Sequence, residues 1–333
     1  MRHITLTLSL LLAFAIGTDI YAQQEPQFTQ NMFNRVYSNP GFAGLNEGIC
    51  VTGLVRQQWA GFEDYEGEKV GPQTFLVSID APVRIIRGGL SALVMQDQIG
   101  FTKTTTLRLG YSFIQKIGFG NLGIGAHIGF NNRVMDFSKF KAVDSNDPLL
   151  RAVTGEENEI LIDASVGVAY QVPDHYYFGF SVNQVLETKG QELANWTTNV
   201  DSAGSQSFLY KMTLDRTFYL QGGYEIGFRN NPNFAILPSA MIKFNQASVQ
   251  LDVAALLEYK EKFWGGLNYR FQDAVSIIAG LQYKNFKIGY SYDITTSKLG
   301  LTNTAGSHEV MLKYCFKIEA EKGRKSYRNT RFL

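Results

Sequence analysis

The chain has 333 residues, and 31 Lys and Arg against 30 Asp and Glu give a formal net charge of +1 at pH 7. This balance, without a basic aromatic stripe along the chain, excludes the usual electrostatic surface for nucleic acid. Tyr (17), Phe (24) and Gly (32) are abundant and Pro (8) is scarce, a composition typical of many strands joined by tight turns.

The N-terminus predicts a secretory signal peptide over residues 1–22. Arg2 and His3 form a short basic head, residues 4–16 are apolar, and cleavage is expected after Ala22. An uncleaved membrane anchor would need about 20 apolar residues, and this run ends too early, at Thr18. The remaining chain has only short apolar runs, which excludes a helical membrane topology.

Residues 23–48 are too polar and too rich in Asn and Gln to span a membrane as a strand. Four aromatic residues, Phe28, Phe33, Tyr37 and Phe42, offer apolar anchors. The segment could plug a lumen, line its periplasmic mouth or be a loose lead-in, and the anchors favour a structured segment.

From residue 49 onward, apolar residues alternate with polar or small residues, which indicates strands with one apolar face. About 14 such segments reach the length that a tilted strand needs to cross a bilayer. They are 49–59, 72–82, 88–98, 102–116, 120–136, 160–172, 175–184, 216–229, 233–244, 248–258, 262–272, 275–284, 286–293 and 307–317. The sequence therefore predicts an all-β fold, a transmembrane antiparallel up-and-down β-barrel over residues 49–317, with a non-spanning N-terminal segment and a basic tail over 318–333.

The connections and faces support a membrane barrel over a soluble one. Alternate connections are tight, whereas four on the other side are long, 60–71, 137–159, 185–215 and 294–306, as in outer-membrane barrels with periplasmic turns. The face opposite the apolar one carries charges of both signs, which a dry core tolerates only when they are paired. We place these charges in the lumen: Arg56, Asp80, Arg108, Asp163, Glu225, Lys243, Asp252, Arg270, Asp293, Glu309 and Lys313.

The two cysteines lie in the first and last strands, which pair in a closed antiparallel barrel. Cys50 and Cys315 both fall on the inward face near the periplasmic end. The cell envelope is oxidising enough for disulfides, so we hypothesise a bond that closes the barrel seam. The alternative is two unpaired small residues, because the stagger of a barrel can separate them.

Several motifs resemble the PorP/SprF family of the type IX secretion system, whose opening pattern is DPQFSQYMFN…NPAYAG. Residues 25–34 read EPQFTQNMFN and residues 39–44 read NPGFAG. The resemblance continues in RQQWAGF (56–62), GPQT (71–74), QDQIG (96–100), GYSYD (289–293), GSHE (306–309) and NTRFL (329–333). Departures are small, at Glu25 and at Arg35-Val36, and 137–159 and 185–215 match no motif.

This resemblance implies a non-catalytic outer-membrane component that exports a secreted protein or anchors it at the cell surface, with a link to gliding motility. Its implied partners are a cargo protein with a type IX C-terminal domain, in some members a large adhesin, together with periplasmic or outer-membrane subunits of the system and outer-membrane lipid. The alternative is a channel or transporter for small solutes or hydrophobic ligands, which the same fold supports.

Two groups of residues are candidates for partner binding. On the extracellular loops these are Phe62, Tyr65, Trp196, Phe208 and Tyr210, since loop aromatics anchor interfaces; alternatively they fold into the barrel mouth. In the periplasmic tail these are Arg324, Lys325, Arg328 and Arg331, which either dock an acidic partner or are simply solvated.

No cofactor, metal or catalytic site is expected. Ser307-His308-Glu309 is the nearest approach to a catalytic triad, but consecutive strand residues point to opposite faces. The acidic residues between Asp144 and Glu159 lack the order of a calcium-binding loop.

Overall fold

The computed structural model describes residues 25–46, 48–64, 67–139, 155–200, 204–246, 248–297 and 304–317, with the backbone alone over 191–200 and 204–212. Its first elements are two 3₁₀ turns, Asn31–Phe33 and Pro40–Phe42, on either side of a one-turn helix α1, Arg35–Ser38. No helix in these ranges is long and apolar enough to cross a membrane.

Seventeen strands follow in the described ranges. They are β1 Gly48–Gln57, β2 Gln73–Val83, β3 Gly88–Ile99, β4 Thr102–Ile117, β5 Gly120–Asp136, β6 Glu156–Val172, β7 Tyr176–Asn183, β8 Lys189–Val200, β9 Gly204–Thr213, β10 Thr217–Tyr224, β11 Ile226–Phe228, β12 Asn231–Phe244, β13 Val249–Tyr259, β14 Phe263–Arg270, β15 Ala274–Tyr283, β16 Phe286–Thr295 and β17 Ser307–Lys317.

Fourteen of these strands form a closed antiparallel barrel: β1–β7, β10 and β12–β17. Sequence neighbours pair around the ring, β7 pairs with β10 across the β8–β9 insertion, and β1 pairs with β17 to close it. The barrel prediction is confirmed, and the predicted spans agree with the strands to within a few residues.

Two details of the prediction are wrong, one in a strand and one in a connection. The predicted strand 216–229 is interrupted at Glu225 and divides into β10 and β11, both of which pair with β12. The long connection 185–215 is not a plain loop, because it contains the separate two-stranded hairpin β8–β9. Register shifts between Lys189 and Ala194 break the period of two in β8, which explains why the sequence pattern did not reveal it.

The two ends of the barrel differ as the sequence predicts. One end has only short turns, at 84–87, 118–119, 173–175, 229–230, 260–262 and 284–285. The other end has the long connections 58–72, 137–155, 184–216 and 296–306. Short turns are periplasmic in outer-membrane barrels, so the β8–β9 hairpin lies on the extracellular side.

The two faces of the wall also have the predicted polarity. Outward-facing apolar side chains remain exposed, as Val77 (55%), Ile128 (57%) and Leu267 (59%) show. Inward-facing charged side chains are buried, as in Arg56 (2%), Arg270 (2%) and Glu309 (0%). A surface with apolar residues outside and charges inside suits lipid around the barrel and a polar interior.

Candidate functional site

The interior of the barrel is occupied by residues 25–46, which we call the plug segment. Glu25 lies beside residues at the extracellular ends of β7, β10 and β12, whereas Asn46 contacts Asp80 near the periplasmic end of β2. The segment therefore runs lengthwise through the lumen and enters β1 at the periplasmic base. The described part of this region, residues 25–46, thus lies inside the barrel.

In the extracellular half, the plug is held by buried charges on the two strands of the seam and their neighbours. Arg56 on β1 contacts Asp293 on β16 (2.7 Å) and Glu309 on β17 (3.0 Å). Glu309 accepts the backbone N–H groups of Thr29 and Gln30, both at 2.8 Å. Because β1 and β17 meet at the seam, the plug is bonded to the place where the barrel closes.

Thr29 extends this network to a second arginine. Its Oγ1 donates a hydrogen bond to Asp293 (2.8 Å) and accepts one from Arg270 Nη2 (3.2 Å). Arg270 also pairs with Asp252 through Nε at 3.0 Å. Charge-assisted hydrogen bonds of this kind are stronger than neutral ones, so a small hydroxyl is fixed between two guanidinium groups.

Glu25 is a second anchor of the plug segment. Its carboxylate pairs with Arg108 and accepts hydrogen bonds from Tyr219 Oη (2.8 Å) and Asn183 Nδ2 (3.2 Å). The Lys243 ammonium donates to its backbone carbonyl. One plug residue thus satisfies polar groups on β4, β7, β10 and β12.

The buried position changes the pKa values of plug residues. Burial alone raises the pKa of the Glu25 carboxyl, but Arg108, Tyr219 and Lys243 together outweigh it and hold this pKa below its ordinary value. Burial also lowers the pKa of Arg35, which the nearby Tyr177 and Asp80 partly oppose. An ionised Glu25 is therefore part of the seated plug.

In the periplasmic half, the plug backbone packs directly on glycines of the wall. A Cβ atom at Gly123 would overlap the Gly41 carbonyl, and one at Gly125 would overlap the Pro40 carbonyl. Asn39 donates from Nδ2 to the carbonyls of Val168 (3.1 Å) and Phe180 (3.2 Å). The glycines of β5 therefore give the plug room to lie against the wall.

Three further contacts hold the base of the plug. The Arg35 guanidinium lies over the rings of Phe42 (5.0 Å) and Tyr177 (4.3 Å). Lys313 Nζ donates to the Phe33 carbonyl at 2.9 Å. These contacts join α1 and its flanking turns to β7 and β17.

The sequence predicts the parts of this site but not how they combine. Its alternation places Arg56, Arg108, Asp293 and Glu309 in the lumen, and its aromatic residues mark anchors in residues 23–48. No sequence pattern identifies Thr29, Asn39 or the wall glycines as contact residues. The glycines alternate in β5 because they contact the backbone of Pro40 and Gly41, which are far from β5 in the sequence, and no local pattern reveals that.

The structure joins Cys50 and Cys315 by a disulfide across the seam. The two residues are directly opposed in the β1–β17 register, with their Cα atoms 4.1 Å apart. The bond lies at the periplasmic end of the seam, and the Arg56–Glu309 pair lies at the extracellular end of the same seam. Mass mapping without reduction is the chemical test of this bond.

The predicted extracellular residues lie on two separate elements. Phe62 is half-buried in the 58–72 connection and packs edge-on against Trp59, with ring centroids 6.3 Å apart. The backbone register of the hairpin pairs Trp196 with Phe208 and Ala194 with Tyr210, so these positions share one face. Tyr65 lies outside the described residues, as do Arg324, Lys325, Arg328 and Arg331.

Ser307, His308 and Glu309 do not come together as a triad. Ser307 and Glu309 are buried toward the interior, where the Trp59 N–H donates to Ser307 Oγ (3.1 Å). His308 lies on the other face, with Nδ1 2.7 Å from Tyr290 Oη. In the described parts of the chain, no group of three or more His, Cys, Asp or Glu residues is arranged to hold a metal ion.

Comparison with known proteins identifies one family. The family model described as "Type IX secretion system membrane protein PorP/SprF" matches residues 20–314. No curated protein sequence matches the chain at a significant level.

Several solved outer-membrane proteins are similar to the chain in fold. The Ralstonia pickettii toluene transporter TbuX is 12% identical, with 84% of this chain and 93% of that one covered and a TM-score of 0.48. The CymD monoaromatic hydrocarbon channel is 13% identical, with 92% and 96% covered and a TM-score of 0.49. The Acinetobacter baumannii outer membrane protein Omp33 is 9% identical, with 82% and 100% covered and a TM-score of 0.42.

Proposed function

Because the chain belongs to the PorP/SprF family of type IX secretion system membrane proteins, we propose that it holds a secreted protein at the cell surface without catalysing a reaction. The family is a class of secretion-system membrane barrels and not a class of enzymes. The plugged interior is the observation that carries the proposal. A lumen occupied along its length by the chain's own residues suits a binding platform better than a conduit for a protein.

The number of contacts that hold the plug favours anchoring of the cargo over its export through the lumen. Glu25, Thr29 and Asn39 are each bonded to two or more wall strands, and all three are buried. Removing the plug would take away the groups that pair with Arg108, Lys243 and Lys313, which is costly while these charges stay buried. In this proposal, cargo reaches the surface by another part of the secretion system and this barrel retains it there.

The β8–β9 hairpin is the proposed contact surface for the cargo. It lies on the extracellular side, is separate from the barrel sheet, and has Trp196, Phe208 and Tyr210 on one face of its register. Large aromatic residues are the usual anchors of protein interfaces. The cargo is proposed to be a protein with a type IX C-terminal domain, in keeping with the family.

The test of this surface is co-purification of cargo from the native organism in mild detergent. We expect the Trp196→Ala, Phe208→Ala variant to lose the cargo protein, because it removes a directly opposed aromatic pair. Leu209→Ala is the matched control, since Leu209 pairs with Asn195 on the other face of the hairpin. Equal cargo recovery from both variants would overturn the proposed surface.

A second experiment separates anchoring from passage through the barrel. The side-chain oxygens of Asn34 in the plug and Ser78 in the wall are 3.0 Å apart, so a cysteine pair at these positions can lock the plug. Retention of cargo at the surface with the locked plug is the expected result. Loss of cargo export on locking, restored by a reductant that leaves export by the wild type unchanged, would favour export through the lumen. Solute uptake lost on locking would favour the channel alternative.

Two further parts of the proposal concern the ends of the chain. We propose that residues 1–22 are removed as a signal peptide, which N-terminal sequencing of the purified protein tests directly. The basic tail, with Arg324, Lys325, Arg328 and Arg331, is proposed to contact periplasmic subunits of the secretion system. Cross-linking from the tail should capture those subunits, and replacement of the four arginine and lysine residues by Gln should abolish capture.

A further inference from the structure

Two neighbouring periplasmic turns expose large apolar side chains to an unusual degree. Ile85, in the 84–87 turn between β2 and β3, is 95% exposed, and Phe119, in the 118–119 turn between β4 and β5, is 93% exposed. Other outward-facing apolar residues on the strands have lipid to cover them, whereas these two lie beyond the strand ends. Exposed apolar side chains grouped in this way mark a surface that another molecule covers.

The two turns form one patch on the outer rim. The Ile114 N–H donates to the Arg87 carbonyl at 2.9 Å, which ties β4 to the 84–87 turn. Outward-facing tyrosines hold both turns, since Tyr111 Oη donates to the Ile86 carbonyl (2.9 Å) and Tyr170 Oη donates to the Ile117 carbonyl (3.0 Å). The patch is therefore continuous with the lipid-facing surface of the barrel.

The charge of this patch is entirely positive. Arg84 and Arg87 are exposed within it, and neither takes part in an ion pair with any residue that the structure describes. Lys116 is also exposed, but it alternates with the outward-facing Ile117 and therefore belongs to the inward face of β4. Another part of the same rim is different, with the acidic residues Asp174, Glu225, Glu258 and Glu261 near its lysines. The basic character thus belongs to this patch and not to the whole periplasmic end.

We propose that the turn patch, residues 84–87 and 117–119, binds anionic phospholipid headgroups in the periplasm-facing leaflet of the membrane. Arg84 and Arg87 contact phosphate groups, while Ile85 and Phe119 enter the boundary between headgroups and acyl chains. Basic side chains beside apolar and aromatic ones are the combination that anchors proteins at such interfaces. Tyrosines at the same level are typical of the membrane–water boundary.

A lipid fits the patch better than a protein does, because the patch continues the apolar belt without a break. Phe113 and Ile117 lead from the spanning part of β4 to the turn, and both are outward-facing and exposed. A protein partner would have to cover these residues and displace the lipid already beside them. A phospholipid can place its headgroup beside the basic side chains of the patch while its acyl chains cover the apolar belt of the barrel.

The test measures phospholipid binding to the purified full-length barrel in nanodiscs of phosphatidylcholine with increasing phosphatidylglycerol. Retained phosphatidylglycerol is counted by native mass spectrometry for the wild type and for the Arg84→Gln, Arg87→Gln variant. Each basic residue near an anionic surface contributes roughly fivefold in affinity. We therefore expect this double variant to bind phosphatidylglycerol at least about tenfold more weakly.

The matched control replaces two exposed lysines on another periplasmic turn, Lys260 and Lys262, by Gln. It removes the same charge from the same rim and should leave binding within about twofold, since Glu261 between them and the acidic residues of that part of the rim already offset their charge. A second variant, Ile85→Ser with Phe119→Ser, keeps the cations and should release lipid more easily than the wild type.

Equal lipid loss in the double arginine variant and its control would overturn the proposal and indicate a nonspecific charge effect. Unchanged lipid binding together with loss of a cross-linked periplasmic protein would also overturn it, in favour of a protein partner. Because the hairpin is at the opposite end of the barrel, cargo co-purification should persist in the double arginine variant. Failure of the lipid site is therefore distinguishable from failure of the anchoring function.

Discussion

Replacing Arg56 by Met should weaken both the barrel and the seating of its plug. Arg56 is 2% exposed, and its guanidinium contacts Asp293, Glu309 and the Thr29 hydroxyl at 2.7, 3.0 and 3.1 Å. The variant removes one of the positive charges that balance the buried carboxylates of Asp293 and Glu309. Breaking a buried ion pair in this way costs about 3–5 kcal/mol, and we expect the lower end because Arg270 remains 3.6 Å from Asp293.

The free energy of unfolding, measured by urea titration of the barrel in detergent micelles, gives this cost directly. The matched control is Lys139→Met, which removes an ion pair with Glu68 whose side chains are about half exposed, at 50% and 53%. An exposed pair contributes less than about 1 kcal/mol. The comparison thus separates the effect of burial from the effect of deleting one positive charge.

A second readout reports on the plug itself. If the plug detaches when Arg56 is lost, single-channel recordings of the variant should show an ion conductance that the wild type and the Lys139 control lack. A cost for Arg56→Met that does not exceed the control by at least about 1 kcal/mol would refute the reasoning. So would unchanged conductance in a variant that is strongly destabilised, because the network would then hold the wall and not the plug.

Three further predictions concern other contacts of the plug and seam. Replacing Cys50 and Cys315 by Ser should lower the free energy of unfolding by about 2–4 kcal/mol, and the wild type should lose a similar amount on reduction, as urea titration will show. Gly123→Ala should displace the plug, seen as faster proteolysis of its peptide bonds, whereas Gly227→Ala, whose Cβ meets nothing within 4 Å, should not. Because the pKa of Glu25 is lowered in the folded state, its contribution is complete above the ordinary carboxylate pKa and is lost as pH falls through the lower folded pKa. Lowering the pH should therefore increase the rate of plug proteolysis in the wild type. The increase should be smaller in the Glu25→Gln variant, which has no carboxyl group to titrate at this position.

The wall of the barrel could be predicted from the sequence because its signal is local. In β13, for example, Leu251, Val253 and Leu257 alternate with Asp252 and reveal both the strand and its two environments. The same alternation places charges in the interior. Register and closure then follow from tight turns and an even number of strands.

The plug and the hairpin could not be predicted in the same way, for different physical reasons. The plug residues Thr29 and Asn39 have no periodic pattern, since their partners are backbone and charged groups far away in the sequence. The hairpin has strands, but the irregular register between Lys189 and Ala194 interrupts the alternation that would identify them. For the plug the information lies in pairs of distant residues, whereas for the hairpin the pairing is local and the irregular register hides it.

The contacts between the plug and the seam have a consequence for the order of folding. Thr29 precedes the first strand of the barrel in the sequence. Its hydrogen-bond acceptors, Asp293 on β16 and Glu309 on β17, are separated from it by 264 and 280 residues. The binding place for this part of the plug does not exist until the last two strands have paired, and the same pairing brings Cys50 to Cys315. Ring closure and the seating of Thr29 are therefore coupled. A barrel lacking its final hairpin would hold the N-terminal segment only through its other contacts, such as those of Glu25 with β4, β7, β10 and β12 and of Asn39 with β6 and β7.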